Sequence, residues 1–226
     1  MPNKIVKNIN NKNKKAFTLV EIICVLILLG VIATVTIPNA IINSRNTSLR
    51  VHFFKAYSTI ENALNLIYVE DPEYYNDIMN YSDSSYQKPK KIIDTLKPYL
   101  RTKEVKTGKG STVGYLANHK NFNGNQTATT DDWFTHGIIV LNDNTAIFPD
   151  FAWGGGLFLG IDTNGIKKGP NKFGYDFFML EIDKNGQLST SRNQLPGHLN
   201  DNASSNVGLL NAKDAIKNKD YFKNLK

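Results

Sequence analysis

From Phe17 to Ile37 the chain runs for 21 residues with a single charge, Glu21, in an otherwise apolar or small-residue stretch. A run of that length and polarity crosses a hydrocarbon layer as one helix. Beyond Pro38 the pattern turns amphipathic: Phe53, Tyr57, Ile60, Leu64 and Ile67 recur at steps of four, three, four and three, which puts them on one helical face. Pro38 removes one backbone donor and predicts a kink inside this helix. Asp71-Pro72 predicts its end, because the residue before a proline avoids helical dihedrals. The expectation is therefore one helix from Phe17 to about Val69, about 53 residues long and on the order of 80 Å. Its first half suits lipid, and its second half offers a stripe on which a domain can pack.

Residues 72–136 are less regular, with a Tyr-rich loop, a short helix near Lys90 to Leu100, and a Gly/Asn/Thr-rich stretch from Thr107 to Thr130. The next block alternates as antiparallel strands do. It predicts Gly137 to Leu141, Thr145 to Phe148, Leu157 to Ile161, Phe177 to Ile182 and Leu188 to Thr190, with turns at Asn142-Asp143-Asn144 and Lys184-Asn185-Gly186. Ala215, Ile216, Tyr221, Phe222 and Leu225 among C-terminal lysines predict one or two short amphipathic helices. The fold class is α+β: a long N-terminal helix packed on an antiparallel sheet of four or five strands, with loop elaborations and short C-terminal helices. The segments are a basic leader at 1–16, the helix at 17–70 with 17–37 transmembrane, and a globular domain at 71–226.

The formal net charge is +7, which by itself suggests a nucleic-acid or membrane partner. Five of the positive charges are Lys4, Lys7, Lys12, Lys14 and Lys15, in a segment without an acid, and the remainder of the chain is close to balance at about +2. The basicity belongs to the leader and argues for membrane orientation, N-terminus cytoplasmic and the domain outside, more than for DNA. Cys24, the only cysteine, lies in the apolar run, so no internal disulfide supports the domain.

The octet Lys14-Lys15-Ala16-Phe17-Thr18-Leu19-Val20-Glu21, running into an apolar helix, resembles the processing site of type IV pilins and type II secretion pseudopilins. That resemblance implies cleavage between Ala16 and Phe17 by a prepilin peptidase and methylation of the new amine. Ala16 stands where the family usually has glycine. The resemblance also implies that Glu21 sets the register of an incoming subunit, and that Pro38 is the helix-bending proline. Independently, a carboxylate in a membrane helix costs about 2.5–3.5 kcal/mol unless it finds a partner, so Glu21 calls for one. An ordinary secretory signal would have a shorter apolar core and a small-x-small cut after it, and Ala33 to Ala40 offers no convincing pair.

A second resemblance lies in the run from Ile161 to Phe178, IDTNGIKKGPNKFGYDFF. It is similar to a loop between two strands in the globular domains of many pilin-like proteins. Asp162, Asn164 and Asp176 supply the oxygen ligands that Ca2+ prefers, while the same residue types build turns and Lys167 and Lys168 oppose a cation. The four histidines, His52, His119, His136 and His198, show no metal-ligand spacing. Trp153-Gly154-Gly155-Gly156 lacks the Lys-Ser/Thr of a phosphate-binding loop. The C-terminal lysines with Tyr221 and Phe222 keep DNA open as a partner.

The function these features imply is that of a structural subunit of a type IV pilus-like or secretion-pseudopilus filament, not an enzyme. Its partners would be other pilin or pseudopilin subunits, the prepilin peptidase, the cytoplasmic membrane, an assembly ATPase and the platform protein of the assembly machinery. The alternatives are a DNA-uptake pilin and a membrane-anchored extracytoplasmic domain that does not polymerise.

Overall fold

The computed structural model describes residues 17–80, 87–108, 110–112, 114–117, 119–124, 134–152, 156–190 and 208–226. The leader with Ala16, Trp153 to Gly155 and His198 lie outside them. The chain divides into two compact units, Met1–Asn43 and Ser44–Lys226.

In the first unit, residues 19–43 belong to helix α1, Leu19–Glu70. Every described side chain from Phe17 to Asn43 is exposed except Ala33, which is half-buried. A continuous exposed apolar surface of this kind has no place in water and marks a segment built for lipid or for other chains. Helical structure continues on both sides of Pro38. Around it, polar side chains return hydrogen bonds to the helix's own carbonyls: Thr34 Oγ1 donates to Val31 O (2.7 Å), Thr36 Oγ1 to Ile32 O (3.0 Å) and Asn39 Nδ2 to Val35 O (3.1 Å). Polar groups so paired are tolerable in a segment without water.

In the second unit, α1 presents Asn46, Leu49, Phe53, Ala56, Ile60, Ala63, Leu64 and Ile67 as one buried face. It ends at Glu70, before Asp71-Pro72, where the dipeptide predicted its stop. Two short helices follow, α2 (Tyr74–Met79) and α3 (Gln87–Leu96), the latter running into a single 3-10 turn at Lys97–Tyr99. Among the described residues, six strands then form an antiparallel meander in chain order: β1 (Thr102–Thr107), β2 (Gly137–Leu141), β3 (Ala146–Ala152), β4 (Gly156–Asp162), β5 (Phe177–Ile182) and β6 (Leu188–Ser189). The C-terminal segment folds as a 3-10 turn (Leu209–Asn211), α4 (Ala212–Lys217) and a further 3-10 turn (Phe222–Asn224).

The pleat sends alternate residues to two separate cores. Ile139, Leu141, Ile147, Leu157, Leu159, Ile161, Phe178, Leu180 and Ile182 join the buried face of α1 and the apolar side of α3. Ile138, Ala146, Phe148, Phe158, Phe177 and Met179 meet Leu116, Phe134, Phe173 and Leu209 on the other face. Gly160 is needed there, since a Cβ would sit 2.7–2.8 Å from the rings of Phe177 and Phe134. The C-terminus returns to α1: Asn46 Nδ2 donates to Leu225 O (2.8 Å), and the Phe222 ring lies 5.6 Å from Phe53.

The sheet holds one strand more than the alternation predicted, and α2 falls where a loop was expected. β1, Thr-Lys-Glu-Val-Lys-Thr, is an edge strand whose residues are all exposed or half-buried and which carries a register shift between Thr102 and Glu104. It therefore has no buried row to leave a period of two in the sequence. β3 runs past the predicted Phe148 and through Pro149. Its pairing with β2 is confined to Ile147 and Ala146, so Pro149 lies beyond that ladder, where a missing N–H removes no bond to β2.

Phe53 packs 4.5 Å from Phe178 and is 2% exposed. Phe53→Ala is therefore expected to lower the unfolding free energy by about 3–5 kcal/mol. Val51→Ala, on the exposed side of α1, is expected to change it by less than about 0.5 kcal/mol. Urea denaturation of the detergent-solubilised full chain measures both.

Candidate functional site

Two places contain the candidate residues. At the start of α1, Phe17 is exposed and Thr18 is the last residue before the helix. Glu21 does have a partner, and it is in its own chain. Thr18 N–H donates to Glu21 Oε2 (2.8 Å), Thr18 Oγ1 donates to the same oxygen (2.9 Å), and Glu21 N–H donates to Thr18 Oγ1 (3.2 Å). This is a capping box, in which the N-cap hydroxyl and the third helical carboxylate each take a backbone donor that the first turn leaves open. The carboxylate also lies at the positive end of the helix dipole. Thr-x-x-Glu before an apolar run is a known helix-start signature, so the pairing of Thr18 with Glu21 is a signal the sequence itself carries.

The second place is the connection from β4 to β5. Asp162 ends β4 on the sheet face turned away from α1, and Asp176 immediately precedes β5; both are fully buried. Asp162 Oδ1 accepts from the backbone N–H of Asn164 (3.2 Å) and Gly165 (2.8 Å). Asp176 brackets the far end of the loop, with Oδ2 accepting from Asn171 N–H (2.7 Å) and Oδ1 from Lys172 N–H (2.7 Å). Thr163 N–H donates to Asp176 O (2.8 Å), closing the loop at its neck. Asn164 Nδ2 spans it by donating to Gly169 O (3.1 Å). Gly165, at φ 91°, allows the loop to lie against the 142–144 turn, where a Cβ would come within 2.7 Å of Asn144 O.

Thus the fold does bring Asp162, Asn164 and Asp176 into one loop, and it adds His119, whose Nε2 lies 3.5 Å from Asp162 Oδ2 in a fully buried pair. The His119 ring is stacked on Phe173 and edge-on to Phe177. Nothing in the local sequence ties residue 119 to residue 162; the fold brings the two segments together, with Lys120 beside His119 pairing with Lys172 as an isolated bridge. Burial and the neighbouring Asp162 carboxylate push Asp176 up to about 6, against the pull of the Lys172 and Asn171 amides. Among the described residues, no three His, Cys, Asp or Glu side chains gather as a metal-binding group. Buried oxygens without a hydrogen-bond partner nevertheless occur along the loop, at Asp162 Oδ2, Thr163 Oγ1, Asn164 Oδ1 and Asn171 Oδ1.

α1 carries a segment long and apolar enough to cross a membrane. Residues 11–37 match the family described as the prokaryotic N-terminal methylation motif, which spans the octet and the apolar run. No curated protein and no solved structure matches the chain.

Replacing Thr18 by Ala removes two of the box's three bonds and is expected to weaken the first helical turn by about 1 kcal/mol. Hydrogen exchange of the amides of residues 18–21 in micelles should accelerate about fivefold, with the wild-type rate largely restored in Thr18→Ser. Unchanged exchange in Thr18→Ala would mean that the box does not hold the helix start.

Proposed function

We propose, from the prepilin-type cleavage and methylation segment of type IV pilin-like proteins that residues 11–37 carry, that this chain is a structural subunit of a type IV pilus-like or secretion-pseudopilus filament. The match to that segment is the observation that carries the reading, and the almost wholly exposed apolar surface of residues 17–43 supports it. In this reading a prepilin peptidase cuts between Ala16 and Phe17, and the mature subunit waits in the cytoplasmic membrane with residues beyond Pro38 outside. An assembly ATPase and a membrane platform protein then move it into a fibre held by packing of apolar helices. No chemistry is asked of the subunit itself.

Glu21 then has two tasks that can be separated. Within the chain its carboxylate closes the capping box; between chains its charge meets the methylated amine of Phe17 on a neighbour in a low-dielectric setting. Gln keeps the accepting oxygen of the box but not the charge, so Glu21→Gln isolates the second task and Thr18→Ala the first.

The β4–β5 loop supports a second reading, that of a hard divalent cation site. The buried side-chain oxygens of Thr163 and Asn164, which accept no hydrogen bond, are of the type Ca2+ takes, and Asp162 and Asp176 would supply the charge.

Expressed with its assembly machinery, the membrane-extracted protein is expected to have the intact mass of a chain starting at Phe17 plus one methyl group. Glu21→Gln and Glu21→Val should both insert normally yet be depleted from sheared filaments, with Glu21→Asp less affected. A retained Met1 would remove the filament reading, while equal filament recovery of wild type and Glu21→Gln would remove the role of the Glu21 charge between subunits.

For the loop, millimolar Ca2+ is expected to raise the Tm of the EDTA-treated full chain in micelles, by linkage to the folded state, and Asn164→Ala should diminish the rise. No change in Tm would leave Asp162 and Asp176 as acceptors that only shape the loop.

A further inference from the structure

On the sheet face turned away from α1, the second unit holds a half-open cleft of about 600 Å³. Its walls come from β1, the start of β3, the turn around Tyr115 and the first part of the β4–β5 loop. The floor is apolar, with Val140 and Ala146 of the sheet and Ile166 of the loop. Tyr115 closes one side; its ring packs edge-on against Phe148, and its hydroxyl accepts from Lys106 Nζ at 2.8 Å. The rim is cationic, with Lys103, Lys167 and Lys168. The single acid among the described lining residues, Glu104, is already paired with Lys106 at 2.9 Å.

The cationic rim is built into the backbone. Lys168 N–H donates to Gly165 O (2.8 Å), closing a tight turn with Ile166 and Lys167 at its centre. Gly165 presses that turn against Asn144, while Asp162 ties down its first residues. Lys103 Nζ is held toward the cleft's amide wall by Asn144 Oδ1 at 3.1 Å. Three lysines thus line the cleft around an apolar floor, with two amide side chains, Asn144 and Asn164, at its edge.

We propose that this cleft binds a short acidic saccharide, a uronic acid unit of a polysaccharide chain. Carboxylate, hydroxyls and ring C–H faces match lysines, amides and the Val140, Ala146 and Tyr115 surface respectively. A bare phosphate would engage the lysines but leave the apolar floor uncovered. A nucleic-acid strand needs a track of cations with successive stacking platforms, and here one aromatic ring, Tyr115, borders the cleft among the described residues. The proposal does not depend on polymerisation, because the whole cleft lies within one chain.

The test is titration of the detergent-solubilised full chain with tri-galacturonate, followed by NMR or calorimetry in calcium-free buffer containing EDTA, so that chelation at the loop does not contribute. Saturable binding is expected, with little response to the neutral methyl ester. The exposed pair Lys167→Gln/Lys168→Gln should weaken it by about tenfold or more at unchanged Tm, and Tyr115→Leu should weaken it through the lost ring surface. Four outcomes overturn the proposal: no saturable binding, equal binding of the neutral ester, full affinity in the double lysine variant, or tighter lysine-dependent binding of inorganic phosphate or a single-stranded oligonucleotide.

Discussion

The apolar stripe of α1 from Leu49 to Ile67 is the contact on which the second unit rests. A six-stranded meander buries β4 on both faces, so each face must be covered by something other than sheet. On one side the cover is α1 together with α3, and Phe53 joins the helix to Phe178 of the sheet and Phe222 of the C-terminus. With that side closed, the opposite face is left to turns and loops, whose aromatic residues Phe134 and Phe173 fill the second core. Loops shaped by such packing can enclose the buried carboxylates and the lysine-rimmed cleft.

The same physical device recurs at both candidate places. A carboxylate in a poorly hydrated setting is tolerable when backbone N–H groups that would otherwise lack partners donate to it. Glu21 takes the donor of Thr18 at the helix start, while Asp162 and Asp176 take pairs of donors at the two ends of the β4–β5 loop. Each acid thereby fixes a backbone shape that its neighbours rely on. Glu21 shows why a charge in an apolar helix is consistent both with a well-formed monomer and with a role between subunits, since shaping the helix start and meeting a second chain's amine ask different things of one group.

The β4–β5 loop ties several features together. Its neck places Asp162 beside His119, its first turn presents Lys167 and Lys168 to the cleft, and its far end meets the C-terminal segment through the hydrogen bond from Tyr221 Oη to Gly174 O. A saccharide held at the first turn and a cation held among the loop oxygens would therefore bear on the same short stretch of chain.

By itself, the sequence determined the features that local periodicity encodes. The uninterrupted apolar run, the three-four stripe after Pro38 and the Asp71-Pro72 stop specify α1 almost to its ends, because helix length and face depend on neighbours within one or two turns. Strands with one row facing each core, such as Gly137 to Leu141 and Phe177 to Ile182, were equally legible. The N-terminal octet was legible as a motif, and its Thr18–Glu21 pairing is as local as the helix turn it caps. Tertiary structure alone decided what depends on distant partners. β1 is a strand because β2 offers it a ladder, and its own exposed residues carry no alternation. His119 meets Asp162, and Lys103 meets the Lys167 turn, across separations of more than forty residues that no local pattern records. Sequence patterns state which side of an element is buried; only packing decides which other element lies there, and both the paired acids and the cleft are products of that choice.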